Sequence, residues 1–160
     1  MNLSIDQQKI TSFLYKESRL LDEHKYVEWE KLWDDDNTLY WIPAGLEGSD
    51  PEKDVQFIYD NRHRLSTRVK KYLTGMHYAQ DPESRTQHYL SNIDIINCLE
   101  DIISIEGSLL VIECRMGQMN FWPGKVSYKL KKVDQDYKIV EKKFQLINSD
   151  DPIPTLGFIV

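Results

Sequence analysis

Hydrophobic and polar positions follow different periods in the two halves of the chain. In the first half, apolar residues recur every three or four positions, which is the period of a helix buried along one face. The first such face is formed by Ile10, Phe13, Leu14 and Leu21, with Glu17 among the polar residues largely outside it. Ser4 and Gln7 have the spacing of a capping box, so this helix is expected to run from Ser4 to about His24.

A second, shorter helix is predicted directly after the first. Tyr26, Trp29 and Trp33 have the spacing of residues on one helical face. The two tryptophans are expected to plug the open side of a curved sheet, with ligand stacking as the alternative. The β-branched and aromatic residues at 38–42 then predict a short strand.

A third helix is predicted before the middle of the chain. Asn61 is a suitable N-cap and Gly75 a suitable C-terminal stop. The apolar stripe between them is formed by Leu65, Val69 and Leu73. A brief extended segment is expected at 57–59, just before this helix.

From residue 88 onward the period of the pattern changes to two, which is typical of half-buried strands. Strands are expected at 88–97, 102–105, 109–115, 125–131 and 137–148. Glu106–Ser108 is expected to form a hairpin or a bulge between two of these strands. The apolar run at 152–160 needs a covering surface, which could be the sheet of the same chain or another chain.

Helices followed by long antiparallel strands predict an α+β fold in one domain, residues 1–160. The compact solution is a curved sheet that wraps the N-terminal helices. This is the cystatin-like cone of nuclear transport factor 2, ketosteroid isomerases and scytalone dehydratase.

Composition narrows the classes of function. The net charge of −6 argues against a nucleic-acid surface, and no apolar run reaches the roughly 20 residues of a membrane helix. The first residues do not have the pattern of a signal peptide. Cys98 and Cys114 are expected to be reduced thiols of a cytoplasmic protein, with a disulfide left open.

No metal or cofactor site is predicted in the chain. A Rieske cluster needs paired cysteines and histidines, and neither cysteine has a histidine nearby. Asp60 and His63 have the spacing of iron ligands, but Arg68 stands where a second histidine is needed. A convergence of His77, Asp81 and His88 is the remaining metal hypothesis.

A cofactor-free acid/base site at the mouth of the cone is the alternative function. Its candidate catalytic residues are Asp36, Tyr40, Arg85 and His88, which supply a carboxylate, a phenol, a cation and an imidazole. The chain would then be a stand-alone dehydratase or isomerase, or a small-molecule binding module. The simpler interpretation is that His88 is a hydrogen-bonded residue at the start of a strand and that Arg85 pairs with Asp81 or another acid.

One stretch carries a resemblance. Within Gly75–Asn92 the chain reads Asp81-Pro, one residue, Ser-Arg-Thr, one residue, His88, two residues, Ser-Asn92. This run resembles the central signature of the small (β) subunits of aromatic-ring-hydroxylating dioxygenases. Further pieces similar to that family follow in order along the chain, among them Phe13–Asp22, Tyr40–Pro43, Ile58–Asp60 and Lys138–Lys143.

The resemblance implies a cone-fold subunit that trimerises and packs against three large (α) subunits. The large subunits of that family hold a Rieske 2Fe–2S cluster and a mononuclear iron, and they receive electrons from NADH through a reductase. The small subunit is mainly structural and has no catalytic, cofactor or metal site of its own. The residues expected at a subunit interface or a structural corner are Asp60, Arg62, Arg68, Asp81, Arg85, His88 and Asn92.

Two segments match the family only loosely. These are residues 117–124 and 146–154, so the aromatic substrate is not predicted from the sequence. A subunit should expose apolar and arginine-rich patches that a monomeric enzyme would avoid, which is the feature that separates the hypotheses.

Overall fold

The computed structural model describes residues 5–75 and 80–160, which form three α-helices and six strands. In chain order these are α1 Gln7–Asp22, α2 Tyr26–Glu30, β1 Leu39–Pro43, β2 Gln56–Asp60, α3 Arg62–Leu73, β3 Arg85–Leu99, β4 Ile102–Arg115, β5 Gln118–Val133 and β6 Asp136–Leu146.

The helices follow the predicted apolar faces except at Leu73 of α3, which is 54% exposed although it was expected on the buried stripe. Helix α1 buries Ile10, Phe13, Leu14 and Leu21 as predicted. Its N-cap is Asp6, whose carboxylate accepts the backbone N–H of Lys9 at 3.0 Å, while the expected cap Ser4 lies outside the described residues. The helix cannot continue through His24, because that residue has a φ of +56°.

The strands form one mixed sheet in the order β2-β1-β6-β5-β4-β3. Every neighbouring pair is antiparallel except β1 and β6, which run parallel. One hydrophobic cluster joins the inner face of the sheet to the helices, with Leu14, Trp29 and Leu65 as examples of the helical contribution. The α+β prediction with N-terminal helices packed in a curved sheet is therefore confirmed.

The prediction of a hairpin or bulge at Glu106–Ser108 is wrong for β4. That strand is continuous, and Gly107 pairs with Val126 of β5 within a regular ladder. The irregularity lies in the neighbouring strand β3, whose register shifts after Ser91 and where Asn92 has a φ of +53°. A Cβ on Gly107 would lie 3.1 Å from the carbonyl oxygen of Ser91, so glycine here permits a close approach of β3.

The apolar end of the chain packs on the chain's own core. Phe158, Ile159 and Val160 are each about 2% exposed or less, and the Phe158 ring lies edge-on to Trp122 with centroids 5.6 Å apart. The sequence left open whether this segment is covered by the sheet of the same chain or by another chain, and in the structure it packs on the sheet of the same chain. Both cysteines are free thiols. No helix in residues 5–75 and 80–160 is long and apolar enough to cross a membrane.

Candidate functional site

A buried polar network lies inside the cone. Glu17 and Lys142 are both fully buried, and the Lys142 ammonium lies 2.7 Å from the Glu17 carboxylate. The same carboxylate accepts the indole N–H of Trp29 at 2.9 Å and the hydroxyl of Tyr128 at 3.2 Å. Glu17 therefore has hydrogen bonds besides its ion pair with Lys142. Such bonds are needed to offset the cost of removing a buried ion pair from water.

The end of the chain completes this network. The backbone oxygen of Val160 accepts hydrogen bonds from the Lys142 ammonium at 2.8 Å and from the Tyr40 hydroxyl at 3.2 Å, and the Val160 N–H donates to the same hydroxyl at 3.0 Å. Burial raises the pKa of the Tyr40 phenol above its usual range, so the phenol is protonated at neutral pH. The interior of the cone is thus filled by the chain's own groups.

The two tryptophans of the second helical pattern are part of this filling. Trp29 and Trp33 are buried, and their rings meet edge to face with centroids 5.6 Å apart. Each also lies edge-on to Tyr40, with centroids 5.9 Å apart. The prediction that they plug the sheet is confirmed, and their faces are occupied by one another and by Tyr40.

His88 joins the sheet to the first helix. Its side chain is fully buried, and its Nδ1 lies 2.5 Å from the Asp22 carboxylate. The same carboxylate accepts the backbone N–H of His88 at 3.0 Å and the hydroxyl of Thr86 at 3.1 Å. Asp22 therefore anchors the start of β3 to the end of α1. The buried Nε2 of His88 has no hydrogen-bond partner among the described residues.

Side chains of β4 bind the segment 81–84, which forms the corner before β3. The Arg115 guanidinium donates to the carbonyl oxygens of Asp81 and Pro82 at 3.0 and 2.8 Å. The buried hydroxyl of Ser84 donates to the carboxylate of Glu113 at 2.6 Å. Sequence reasoning missed Arg115 and Glu113. For Glu113 there was a signal, because its position in the alternation of β4 faces inward.

Arg85, a residue of both the alternative acid/base set and the expected interface, is exposed. Its guanidinium makes no ion pair with residues 5–75 or 80–160, and its closest polar partner is the Cys114 thiol at 3.5 Å. Asn92 is also exposed and donates to the Ser108 hydroxyl at 3.2 Å. Asp81 presents its side chain to solvent beside the same edge.

The other expected interface residues form ion pairs within the chain. Arg68 donates from two nitrogens to Asp60 at 2.6 and 3.2 Å, joining α3 to β2. Arg62 lies 2.7 Å from Glu30 and joins α3 to α2. Both arginines keep roughly a quarter of their side chains exposed, at 29% and 26%.

The structure does not bring the alternative catalytic residues together. Tyr40 lies on β1, whereas Arg85 and His88 lie on β3, and the three strands β6, β5 and β4 separate them in the sheet. The Tyr40 hydroxyl is committed to Val160. Asp36 is exposed, and its N–H donates at 3.3 Å to the carboxylate of Asp34.

The Asp34 carboxylate holds the turn that contains Asp36, because it accepts the N–H groups of Asp36 and Asn37. Burial opposes its ionisation, but N–H groups of Asn37 and Asp36 and the Lys131 ammonium outweigh that effect and hold the pKa of Asp34 below its usual range.

The described residues do not form a cluster of metal ligands. Within residues 5–75 and 80–160 no group of three or more histidine, cysteine, aspartate or glutamate side chains is placed to hold a metal ion. His77, which was considered together with Asp81 and His88, lies outside the described residues.

The outer face of the sheet carries exposed apolar side chains. Tyr89, Met119, Phe121 and Ile147 are 53%, 58%, 61% and 77% exposed, and we call them the outer apolar patch. Tyr89 of β3 pairs with the half-buried Leu110 of β4, and Phe121 of β5 pairs with the half-buried Ile112 of β4. Leu110 and Ile112 are two residues apart in β4 and therefore lie on the same face of the sheet. Arg85 lies at the edge of this face, beside Cys114. Such a continuous apolar surface is typical of a contact between proteins.

These features define a cone-fold protein with a filled interior and an apolar outer face. A solved putative scytalone dehydratase from Novosphingobium aromaticivorans has this fold, with a TM-score of 0.65, 16% identity and coverage of 92% of this chain and 89% of that one. The match confirms the cystatin-like cone.

Sequence comparisons give the family. Residues 16–150 match the family described as "Ring hydroxylating beta subunit", and the chain belongs to it. It is 28% identical over 144 residues to the small subunit of 2-halobenzoate 1,2-dioxygenase from Burkholderia cepacia, covering 87% of each chain. It is 26% identical over 141 residues to the small oxygenase component of the p-cumate 2,3-dioxygenase system from Pseudomonas putida, covering 87% of this chain and 78% of the relative.

A solved member of the family matches in structure over nearly the whole chain. The β subunit of benzoate 1,2-dioxygenase from Burkholderia mallei has a TM-score of 0.80 and 27% identity, covering 98% of this chain and 99% of that one. The resemblance seen in the sequence is therefore confirmed. The chain is the small, non-catalytic subunit of an aromatic-ring-hydroxylating dioxygenase, and it has a large-subunit partner.

Proposed function

We propose that this chain is the mainly structural subunit of an α3β3 Rieske non-haem iron dioxygenase. Three copies form a trimer, which binds three large subunits. The large subunit carries the Rieske 2Fe–2S cluster and the mononuclear iron, and it oxidises an aromatic compound with O2 and electrons derived from NADH. The observation that carries the proposal is the family match over residues 16–150. The buried network of Glu17, Lys142 and Val160 supports it, because these groups bind one another inside the cone.

The proposed substrate class is an aromatic carboxylic acid. The relatives are named for p-cumate, 2-halobenzoate and benzoate, which all carry a carboxylate on an aromatic ring. The proposed location is the cytoplasm, where the free thiols of Cys98 and Cys114 remain reduced.

The proposed interface residues divide into two groups by their contacts. Asp60, Arg62 and Arg68 make ion pairs inside the chain, and the His88 ring contacts the Asp22 carboxylate, so these residues hold elements of the chain together. Asp81, Arg85 and Asn92 are exposed and are proposed to meet a neighbouring subunit.

The outer apolar patch is proposed as the contact with a second copy of the chain. Two observations favour a second copy. The patch is continuous with the exposed Arg85 of the expected interface. Its surroundings also carry both signs of charge, with Lys125 beside Glu106 and with Asp94 on the neighbouring strand, so copies of one chain can offer complementary edges.

The proposed function predicts a specific change in composition on assembly. We expect the purified chain to be a metal-free trimer and to form an iron-containing hetero-hexamer when co-expressed with its large subunit. Native mass spectrometry and iron analysis measure both states, and oxidation of benzoate against naphthalene tests the substrate class. A metal-free monomer or dimer that does not bind the large subunit would contradict the proposal.

If the outer apolar patch is the contact between copies of the chain, a charge introduced into it should weaken the trimer. Phe121→Asp is expected to weaken the trimer at least tenfold, because removing a large apolar side chain from the centre of an interface commonly costs about 2 kcal/mol or more. The dissociation constant can be measured by analytical ultracentrifugation. The stability of the monomer should change by about 0.5 kcal/mol or less, since Phe121 is 61% exposed.

Val55→Asp is the matched control for this substitution. Val55 is 82% exposed but lies before β2, away from the patch, so the trimer should be unaffected. If Phe121→Asp leaves the trimer intact and weakens binding of the large subunit instead, the patch is the contact with the large subunit and the assignment to a second copy is wrong.

A further inference from the structure

The segment Phe158–Val160 is bound in the cone as a ligand is bound. Its last residue is held through backbone groups by two side chains. Tyr40 donates to the backbone oxygen of Val160 at 3.2 Å and accepts its N–H at 3.0 Å, and Lys142 donates to the same oxygen at 2.8 Å. A strand of the sheet would instead satisfy these groups by a backbone ladder. Here the recognition is made by side chains that converge on one residue.

The groups that hold this residue are themselves fixed. Lys142 is positioned by the Glu17 carboxylate at 2.7 Å, and Glu17 is positioned by Trp29 and Tyr128 at 2.9 and 3.2 Å. The Tyr40 ring packs against both Trp29 and Trp33, with its centroid 5.9 Å from each of theirs. These contacts do not involve the bound segment, so they would keep the donors in place without it. Preorganised donors in an apolar surround are the typical construction of a binding site.

The connection between β6 and the segment Phe158–Val160 has no regular secondary structure. Residues 150–157 lie outside any helix or strand and are mostly exposed or half-buried. The backbone bonds found there are local, from Asp151 to Asn148 at 3.0 Å and from Gly157 to Thr155 at 3.1 Å. The Tyr72 hydroxyl donates to the Gly157 carbonyl oxygen. A specifically held apolar end therefore follows an irregular connection, the arrangement that permits exchange of an arm between copies.

We infer that the interior of the cone is a peptide-binding site, that its resident ligand is the segment Phe158–Val160, and that this segment can be replaced by the same segment of a second copy without unfolding of the cone. The chemical class of the ligand is an apolar peptide that presents a backbone oxygen and N–H to Tyr40 and Lys142. The inference does not depend on the large subunit.

The test separates the ligand from its site in the folded protein. A protease recognition sequence is inserted after Thr155, in the exposed connection, and the folded full-length chain is cleaved there. A fluorescently labelled peptide with the sequence of residues 156–160 is then added. We expect saturable exchange of the labelled peptide into the cleaved chain, measured by fluorescence anisotropy. Unlabelled peptide should compete, and a scrambled peptide should not.

The Tyr40 hydroxyl provides the specific readout. Tyr40→Phe keeps the ring but removes both bonds from this side chain to Val160, so the labelled peptide should bind at least tenfold more weakly. Tyr15→Phe is the matched control, because Tyr15 is 43% exposed on the outside of α1 and should leave binding unchanged.

Three results would overturn the inference. The cleaved chain could keep its original segment with no exchange, it could unfold on cleavage, or it could bind the labelled peptide equally well with and without the Tyr40 hydroxyl. Each result would make the segment an ordinary part of the core. None would affect the proposed role in the dioxygenase, since the large subunit is not present in the experiment.

Discussion

Replacing Lys142 with methionine is expected to lower the free energy of unfolding by about 3–5 kcal/mol, because it leaves the buried Glu17 carboxylate without its countercharge. The backbone oxygen of Val160 also loses its 2.8 Å hydrogen bond from the ammonium. Methionine keeps the length and the apolar packing of the side chain, so the effect reports the charge. Urea unfolding followed by the fluorescence of the buried Trp29 and Trp33 measures it.

Two further variants control this result. Lys129→Met breaks the exposed pair with Glu141, whose atoms are 2.8 Å apart, and should cost less than about 1 kcal/mol. The double substitution Glu17→Gln with Lys142→Met removes both charges and nearly keeps the shape of both side chains. The glutamine has one acceptor oxygen, for the Trp29 N–H, and its NH2 group can donate to the Tyr128 hydroxyl, since these two side chains contact different oxygens of Glu17. The double variant should recover most of the lost stability. A loss below about 1 kcal/mol for Lys142→Met alone would show that the pair does not stabilise the fold as argued.

Asp22→Ala is expected to have the second large effect, a loss of about 2–4 kcal/mol in the free energy of unfolding. The substitution removes the acceptor of the His88 N–H, the His88 ring and the Thr86 hydroxyl. A buried donor that loses its partner costs about 1–3 kcal/mol, and two of these three donors belong to the buried His88. Thermal unfolding measures the change in stability.

Hydrogen exchange locates the same effect. In Asp22→Ala the amide of His88 should exchange faster than in the unmodified chain, since its acceptor is gone. Glu23→Ala is the neighbouring control, because Glu23 pairs with Lys25 in an exposed ion pair, and it should change stability by about 0.5 kcal/mol or less. If Asp22→Ala and Glu23→Ala have equal effects, Asp22 does not anchor β3 to α1.

The helices could be predicted from the sequence because their signals are local. Leu65 and Val69 are buried at the predicted spacing in α3, and Asn61 caps it by accepting the Arg64 N–H at 2.9 Å. The class of protein could be predicted as well, because the run from Asp81 to Asn92 carries a specific order of residues. Each of these signals comes from residues that are close together in the sequence.

The buried network could not be predicted, because its partners are far apart in sequence. Glu17 and Lys142 are separated by 125 residues, and only the folded sheet brings them together. The sequence placed Glu17 largely outside the apolar face of α1, which is wrong, since its side chain is fully buried. Lys142 has the spacing of the apolar Phe144 and Leu146, so the sequence does show a charge on that face of β6, but a single charge does not identify its partner.

The prediction of a hairpin or bulge at Gly107 was wrong for a related reason. Glycine next to serine is common in turns, so the local pattern favoured a hairpin. The cause of the glycine lies on the adjacent strand, where the Ser91 carbonyl oxygen would be 3.1 Å from an added Cβ. A constraint imposed by a neighbouring strand leaves no local signal that distinguishes it from a turn.

The parallel pairing of β1 with β6 bears on how the chain reaches its fold. Leu39 pairs with Glu141, so β1 can join the sheet only after a strand made much later in synthesis is present. Until then β1 and β2 form a short two-stranded unit with an open edge, which is marginal in water and able to pair with other chains. Contacts of such long sequence separation slow folding, and they place the risk of aggregation in the period before β6 arrives.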